Sequence, residues 1–308
     1  MEKIAYVFPG QGSQAVGMLA DLAAEHEIVG QTFNEASQVL GYDLWQLVQD
    51  GPAESLNQTD KTQPALLTAS VAIWRAINAT NAAKPDVLAG HSLGEYSALV
   101  CAGVIDFADA VKLVELRGQL MQQAVPAGTG AMFAIIGLDN DAIQTACDDA
   151  AQGAIVSPVN FNSPGQVVIA GEKYAVERAA AACKEAGAKM AVALPVSVPS
   201  HCQLMKPAAE KLAEALVNIP FSEPQIKVIN NVDVAAPVTA DAIKDALVRQ
   251  LYCPVRWSET VEAMAADDVT ILVEVGPGKV LTGLAKRINR SLSAKVANDP
   301  ASVAALSE

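Results

Sequence analysis

"LAGHSLGEYSALV", residues 88–100, places one serine between two glycines, after an apolar run and before residues that favour a helix. Residues 90–94 match the pattern G-x-S-x-G, in which small residues allow a serine to occupy the strained turn between a strand and a helix. A helix that begins at this turn also favours negative charge developing beside Ser92. We therefore interpret Ser92 as a nucleophile, with an ordinary turn serine as the alternative.

A nucleophilic serine needs a base, and the chain has three histidines. His91 adjoins the serine, but adjacent side chains on a sharp turn diverge; His26 lies in a polar stretch typical of a surface. His201, in "VPSHCQLMKP", follows a predicted strand and opens a predicted helix, whose N-terminus would help to keep the ring neutral. His201 is the candidate base, with a histidine that only completes a turn as the alternative. Asp233, or an uncharged carbonyl, is a candidate third member.

The loop after the first predicted strand is a candidate oxyanion hole. Residues 8–14, "FPGQGSQ", place Gln11 between two glycines. Acyl transfer needs N–H donors such as those of Gln11 and Leu93 aimed at the developing oxyanion. The loop also matches the dinucleotide pattern G-x-G-x-x-A, but the second strand with an acidic residue that this pattern requires does not follow. We therefore favour the oxyanion hole.

Arg117 lies within the apolar stripe of a predicted helix at 106–124. An arginine that faces inward either pairs with an internal carboxylate or binds an anionic group that arrives with a substrate. A planar guanidinium suits the second role, because it can hold a carboxylate through two parallel hydrogen bonds.

The order of predicted elements indicates an α/β fold with an insertion. Strands and helices alternate through the first part of the chain and again through the last. Between them the order is β-α-β-β-α-β, which is typical of a ferredoxin-like unit. We predict a core at 1–127 and 199–308 and a small subdomain at 128–198. Other predicted elements are helices at 16–25 and 202–217 and a strand at 189–198.

Composition narrows the functional classes. The 308 residues carry a formal net charge of −13, which argues against binding to nucleic acid. The sequence lacks an apolar run of membrane-spanning length and a signal-peptide pattern, so we predict neither membrane insertion nor export. The five cysteines are widely spaced, without a C-x-x-C pair. We therefore expect a cytoplasmic monomer that needs no metal or other cofactor.

Six motifs occur together and in order: "FPGQGSQ", "TQPAL", "GHSLGEYSAL", "NSPGQ", "VPSH" and "EVGPGKVL". By these motifs the chain resembles, over essentially its full length, the free-standing bacterial malonyl-CoA:acyl carrier protein transacylases. The resemblance implies an α/β-hydrolase-like core with a largely parallel sheet and an inserted ferredoxin-like subdomain. It also implies ping-pong transfer of malonyl from malonyl-CoA to the phosphopantetheine thiol of acyl carrier protein, through a malonyl-serine ester, for fatty-acid biosynthesis.

The resemblance implies a role for each candidate residue. Ser92 is the nucleophile, His201 is its base, and Arg117 binds the malonyl carboxylate. The other implied residues are the oxyanion-hole amides of Gln11 and Leu93, the histidine-orienting main-chain carbonyl of Gln250, and the pocket-lining Gln63 and Asn160.

Acyl carrier protein is acidic, so basic residues are candidates for its docking surface. We hypothesise that Lys286, Arg287 and Lys189 form it, with a solvated helix face as the alternative. A serine esterase would share the nucleophile and base but would not need Arg117. An acyltransferase of malonate decarboxylation or polyketide synthesis would share nearly every motif, whereas a non-catalytic carrier binder would need neither Ser92 nor His201.

Overall fold

Two separate β-sheets organise the molecule, whose computed structural model describes residues 2–196 and 198–307. The strands are β1 (Lys3–Phe8), β2 (Val87–Gly90), β3 (Gly130–Ile136), β4 (Val156–Ser163), β5 (Gln166–Glu172), β6 (Met190–Ala193), β7 (Lys227–Ile229), β8 (Val269–Val275) and β9 (Ser293–Ala297). The helices are α1 (Ala20–Glu25), α2 (Glu27–Leu40), α3 (Leu44–Asp50), α4 (Ala53–Leu56), α5 (Thr59–Asn78), α6 (Leu93–Cys101), α7 (Phe107–Ala124), α8 (Asn140–Ala151), α9 (Lys173–Glu185), α10 (Lys206–Leu216), α11 (Ala240–Gln250), α12 (Trp257–Ala266), α13 (Val280–Ile288) and α14 (Pro300–Ala304). A 3₁₀ turn at Gln203–Met205 leads into α10.

The larger sheet is parallel, in the order β7-β2-β1-β8-β9. Its central strand β1 is buried from Ala5 to Phe8, as expected for a parallel strand covered on both faces. Phe8, the last residue of β1, pairs with Gly90, the last residue of β2. The loop after β1 and the turn after β2 therefore leave the sheet side by side, at the carboxyl edge where open α/β sheets bind ligands.

The smaller sheet is antiparallel, in the order β4-β5-β3-β6. With α8 and α9 it gives the β-α-β-β-α-β order that the sequence predicted, and the predicted α/β class is confirmed. Strand β4 is tied to the core through Val255. The Phe161 N–H donates to the Val255 carbonyl at 3.0 Å, and the Val255 N–H donates to the Val159 carbonyl at 2.8 Å. These bonds fix Asn160, which lies between Val159 and Phe161, against the core.

Three predicted element boundaries are wrong. The helix predicted at 16–25 begins only at Ala20, because Gly17 and Leu19 have φ angles of 84° and 64°. The strand predicted at 189–198 ends at Ala193, just before Pro195, whose ring removes a backbone donor. The helix predicted at 202–217 starts as the 3₁₀ turn and becomes α-helical at Lys206.

The predicted domain limits at 127/128 and 198/199 stay a prediction. Met1, Ser197 and Glu308, which the predicted ranges include, lie outside the described residues. None of the described helices is both long enough and apolar enough to cross a membrane.

Candidate active site

Ser92 occupies a strained turn between β2 and α6. Its backbone angles, φ 51° and ψ −108°, belong to neither a helix nor a strand. A Cβ added to Gly90 would lie 1.8 Å from the carbonyl carbon of Gly94, and one added to Gly94 would lie 2.0 Å from the carbonyl oxygen of Phe8. The two glycines therefore let three backbone segments meet, and the turn holds the serine at the start of the helix.

Ser92 and His201 form a hydrogen-bonded pair. Ser92 Oγ lies 2.8 Å from His201 Nε2, and His201 Nδ1 lies 2.7 Å from the main-chain carbonyl oxygen of Gln250. A carbonyl can only accept, so Nδ1 carries the proton and Nε2 accepts from the serine hydroxyl. The ring therefore has the tautomer that a general base requires.

Burial and a nearby positive charge keep His201 neutral. Its side chain is buried, and this desolvation, with the Arg117 charge, lowers its pKa to about 3. The expectation that a helix N-terminus at His201 does this is wrong, because α10 begins only at Lys206. Asp233 is not the third member of the site, since it pairs with Arg249 at 2.8 Å.

Arg117 points inward from α7 and is 1% exposed. Its Nη1 donates to Gln63 Oε1 at 2.8 Å, and its Nη2 donates to Gln250 Oε1 at 3.0 Å and to Ser92 Oγ at 3.2 Å. Within the described residues no carboxylate forms an ion pair with Arg117, and its Nε has no hydrogen-bond partner. Pairing with an internal carboxylate, one of the two alternatives for Arg117, is therefore not what holds this side chain. A buried charge beside the nucleophile keeps donor capacity for an anionic group.

Two groups behind the serine were missed by the sequence reasoning. The Asn231 side chain bridges the turn, donating to the Gly90 carbonyl at 2.6 Å and accepting from the Ser92 N–H at 2.8 Å. Glu95, in the first turn of α6, is 2% exposed, and burial raises the pKa of its carboxyl to about 7. Two sequence features could have identified them. Glu95 is the one charged residue of the apolar run 93–101, and Asn231 follows the end of a strand.

Gln11 and Leu93 supply backbone N–H groups with no acceptor among the described residues. Leu93 is the first residue of α6, where backbone donors have no partner within the helix. The Gln11 loop is folded by its own hydrogen bonds, from Ser13 Oγ to the Gly10 carbonyl at 2.7 Å and from the Gly12 N–H to Gln14 Oε1 at 2.8 Å. Both residues line the same cleft as Ser92, as an oxyanion hole requires.

The cleft has two branches that share Gln11, His91, Asn160 and Leu194. The residues that line only the inner branch include Ser92, His201, Arg117, Gln63, Met121 and Met132. The residues that line only the outer branch include Gln166, Val280, Leu281 and Leu284. Asn160 Oδ1 is buried at the junction without a hydrogen-bond partner among the described residues. Asn160 thus brings an unused buried acceptor next to the place where the two branches join.

Of the predicted docking residues, Arg287 contacts a residue that lines the outer branch, Gln166. Lys286 and Arg287 are exposed near the end of α13, and Arg287 Nη1 donates to Gln166 Oε1 at 2.6 Å. Gln166 pairs with Ile136, whose carbonyl accepts from the backbone N–H of the exposed Lys189 at 2.8 Å. Arg287 and Lys189 therefore lie beside the same pair of strand ends, and Lys286 precedes Arg287 on α13.

The other two histidines take no part in the serine pair. His91 Nε2 lies 2.8 Å from Asn162 Oδ1, and its ring packs near Trp257. His26 lies at the N-terminus of α2.

In residues 2–196 and 198–307, no three His, Cys, Asp or Glu side chains are grouped as metal ligands would be. The expectation that no cofactor is needed stays a prediction.

Comparison with known proteins gives a consistent result. The model of the acyl transferase domain family matches residues 5–306. The chain is 66% identical over 308 residues to the malonyl CoA-acyl carrier protein transacylase of Escherichia coli (strain K12), with 100% of each chain covered. It is also similar to the crystal structure of an acyl carrier protein S-malonyltransferase from Vibrio cholerae, at 70% identity and a TM-score of 0.97, covering 99% of this chain and 100% of that one.

A further solved structure is that of a malonyl-transacylase in complex with a type II PKS acyl-carrier protein. The similarity to it is 66% in sequence, with a TM-score of 0.98 and 99% of each chain covered.

Proposed function

The chain belongs to the acyl transferase domain family, and on that premise we propose that it transfers a malonyl group from malonyl-CoA to the phosphopantetheine thiol of acyl carrier protein. The observation that carries this proposal is the meeting of three groups: a serine 2.8 Å from a neutral histidine and 3.2 Å from a buried arginine that forms no ion pair with any described residue. The first two groups suit acyl transfer, and the third suits an acyl group that ends in a carboxylate.

In the loading half-reaction, Ser92 Oγ attacks the thioester carbonyl carbon while His201 Nε2 accepts its proton. The oxyanion faces the N–H groups of Gln11 and Leu93. Collapse of the tetrahedral intermediate breaks the carbon–sulfur bond, and His201 returns the proton to the sulfur of coenzyme A. A malonyl-Ser92 ester is left, and the Gln250 carbonyl holds the imidazole in one orientation throughout.

In the transfer half-reaction, the phosphopantetheine thiol gives its proton to His201 as its sulfur attacks the ester carbonyl. The carbon–oxygen bond to Ser92 then breaks, and the serine recovers its proton from the imidazolium. The outer branch of the cleft gives the phosphopantetheine chain a path, and the buried Asn160 Oδ1 is placed to accept a hydrogen bond from one of its amides. Lys286, Arg287 and Lys189 would meet the acidic surface of the carrier.

Arg117 serves selection in this scheme. Its free donor capacity binds the malonyl carboxylate, so that an acyl group without a carboxylate leaves a buried charge unpaired. The protein works without a cofactor of its own, since phosphopantetheine arrives with the carrier. We place it in the cytoplasm as a monomer serving fatty-acid biosynthesis, which agrees with five cysteines that are all free in the structure.

The test is intact-protein mass spectrometry after brief mixing with malonyl-CoA. We expect a malonyl adduct on the wild type that moves to added holo carrier protein and is absent from Ser92→Ala. Release of free malonate without any need for carrier would instead support a hydrolase and would overturn the proposal.

A further inference from the structure

The strained nucleophile has both of its backbone polar groups held by side-chain amides. The Ser92 N–H donates to Asn231 Oδ1 at 2.8 Å, and the Ser92 carbonyl accepts from Gln250 Nε2 at 3.1 Å. The same carbonyl also accepts from the Glu95 backbone N–H at 3.1 Å. A strained residue persists only when its surroundings determine its conformation, so these partners matter for the turn.

One carboxylate oxygen anchors both amide residues. Glu95 Oε2 accepts from the Asn231 backbone N–H at 2.9 Å and from Gln250 Nε2 at 2.8 Å. Asn231 and Gln250 are each 0% exposed, so no solvent replaces a lost bond at this place. A change at this oxygen would therefore act on both partners of the Ser92 backbone.

The same anchor reaches the other members of the site through Gln250. The Gln250 main-chain carbonyl orients His201, and its Oε1 accepts from Arg117. Gln250 Nε2 faces the carboxylate while its Oε1 faces the guanidinium, so the amide has one favourable orientation. The Glu95 carboxylate thus binds residues that in turn contact the nucleophile, the base and the arginine.

We propose that Glu95 is a positioning residue whose Oε2 anchors Asn231 and Gln250 and thereby holds Ser92 in its reactive conformation. The inference rests on the proposed function only for the nucleophilic role of Ser92. What the role requires is an accepting oxygen at this point. Glu95→Gln keeps such an oxygen, whereas Glu95→Leu removes it at similar size.

The experiment measures the rate at which a fluorophosphonate probe labels Ser92, followed by intact mass. This probe reports the nucleophile, the base and the oxyanion donors without any malonyl group. For Glu95→Leu we expect labelling to slow by about 100-fold, because a small misplacement of a nucleophile has an effect of that size. For Glu95→Gln we expect a rate within about threefold of the wild type, because both hydrogen bonds can be kept.

Glu274→Leu is the matched control. Glu274 is also a fully buried carboxylate that accepts backbone hydrogen bonds, from Leu281 at 3.1 Å and Thr282 at 2.8 Å, but among the described residues it has no hydrogen bond with Ser92, Asn231 or Gln250. We expect this variant to lower the melting temperature and leave the labelling rate near that of the wild type.

Two outcomes would overturn the inference: folded Glu95→Leu that labels as fast as the wild type, or Glu95→Gln as slow as Glu95→Leu. If Glu95→Leu does not fold, Glu95→Asp takes its place. Its carboxylate is one methylene too short to reach both partners, so slow labelling is expected and wild-type labelling would count against the anchor. A wild type that labels readily but never accepts malonyl would refute the proposed function and leave this inference standing.

Discussion

The wall of the cleft that the core provides differs from the wall that the small antiparallel sheet provides. On the core side, Ser92, His201, Arg117 and Gln250 are joined by hydrogen bonds of 2.7–3.2 Å and hold one another in place. On the small-sheet side, the lining of the inner branch is apolar apart from Asn160, whose buried oxygen has no partner among the described residues, and Asn162 and Gln166 add polar groups to the outer branch. The difference indicates that the core fixes the reacting atoms, while the small sheet leaves room and an acceptor for the chain that carries the thiol.

The largest expected effect comes from removing the nucleophile from the core side of the cleft. Ser92→Ala should abolish malonyl loading, because the ester forms on Ser92 Oγ, and should lower the overall transfer to carrier protein by about 10,000-fold or more, since only binding and the oxyanion donors remain. Intact mass after incubation with malonyl-CoA measures the loading, and Ser97→Ala, on the same helix but outside the cleft lining, is the control. An adduct that persists in Ser92→Ala would place the chemistry elsewhere.

The next effect concerns selectivity. Arg117→Ala should lower malonyl loading by about 100-fold while acetyl loading changes only a few-fold, because only the malonyl group loses a charged partner. Arg117→Lys keeps the charge without the planar fork and should fall between the two. Equal losses for both acyl groups would show that Arg117 supports the serine rather than selecting the substrate.

The same variant has a pH signature. Burial and Arg117 lower the pKa of His201 to about 3, so wild-type acetyl loading should stay level as the pH falls from 8 to 5. Without the Arg117 charge the pKa of His201 rises toward its usual range. The acid limb of acetyl loading should therefore move to higher pH in Arg117→Ala.

A smaller effect is expected from the basic residues near the outer branch. The double charge reversal Lys286→Glu with Arg287→Glu should raise the KM for carrier protein by about tenfold at low salt and affect loading from malonyl-CoA less. Stopped-flow transfer to holo carrier and single-turnover loading separate the two half-reactions. Parallel losses in both would remove these cations from carrier docking.

The smallest effect tests the small-sheet wall. Asn160→Ala should raise the KM for the carrier by about threefold, through loss of one hydrogen bond. It should also raise the melting temperature slightly, because a buried acceptor without a partner is removed. Ser163→Ala, on the same strand, removes a buried hydroxyl that has no hydrogen-bond partner among the described residues and lies outside the cleft lining, and it should show the second change without the first. An unchanged KM in Asn160→Ala would refute a role in holding substrate.

Local pattern was enough to predict part of this site. The spacing of Gly90, Ser92 and Gly94 predicted the turn, because the steric demand arises within five residues. The helical period predicted that Arg117 faces the protein interior, and its side chain is buried in the structure. Both depend on interactions between near neighbours in sequence, which periodicity and turn chemistry record.

The rest of the site depends on contacts between distant parts of the chain. Glu95 and Asn231 are 136 positions apart in the sequence, and no local pattern predicts the hydrogen bond between them. The neutrality of His201 was attributed to a helix that starts too late, whereas its causes are burial and Arg117. Asp233 was a candidate for the site and instead pairs with Arg249, because the chain after β7 turns toward α11.

The interlocked turn at Gly90 and Gly94 also limits how this sequence can diverge. At both positions the obstacle to a side chain is backbone from another segment, at 1.8 and 2.0 Å, so no rearrangement of side chains relieves it. Any larger residue would need a simultaneous shift of two strands and a helix. The neighbours His91 and Leu93 face no such barrier in backbone geometry. In a saturation library of this turn, accepted variation should therefore be confined to every second position, and new specificities are more accessible through the walls of the cleft than through the turn that presents its nucleophile.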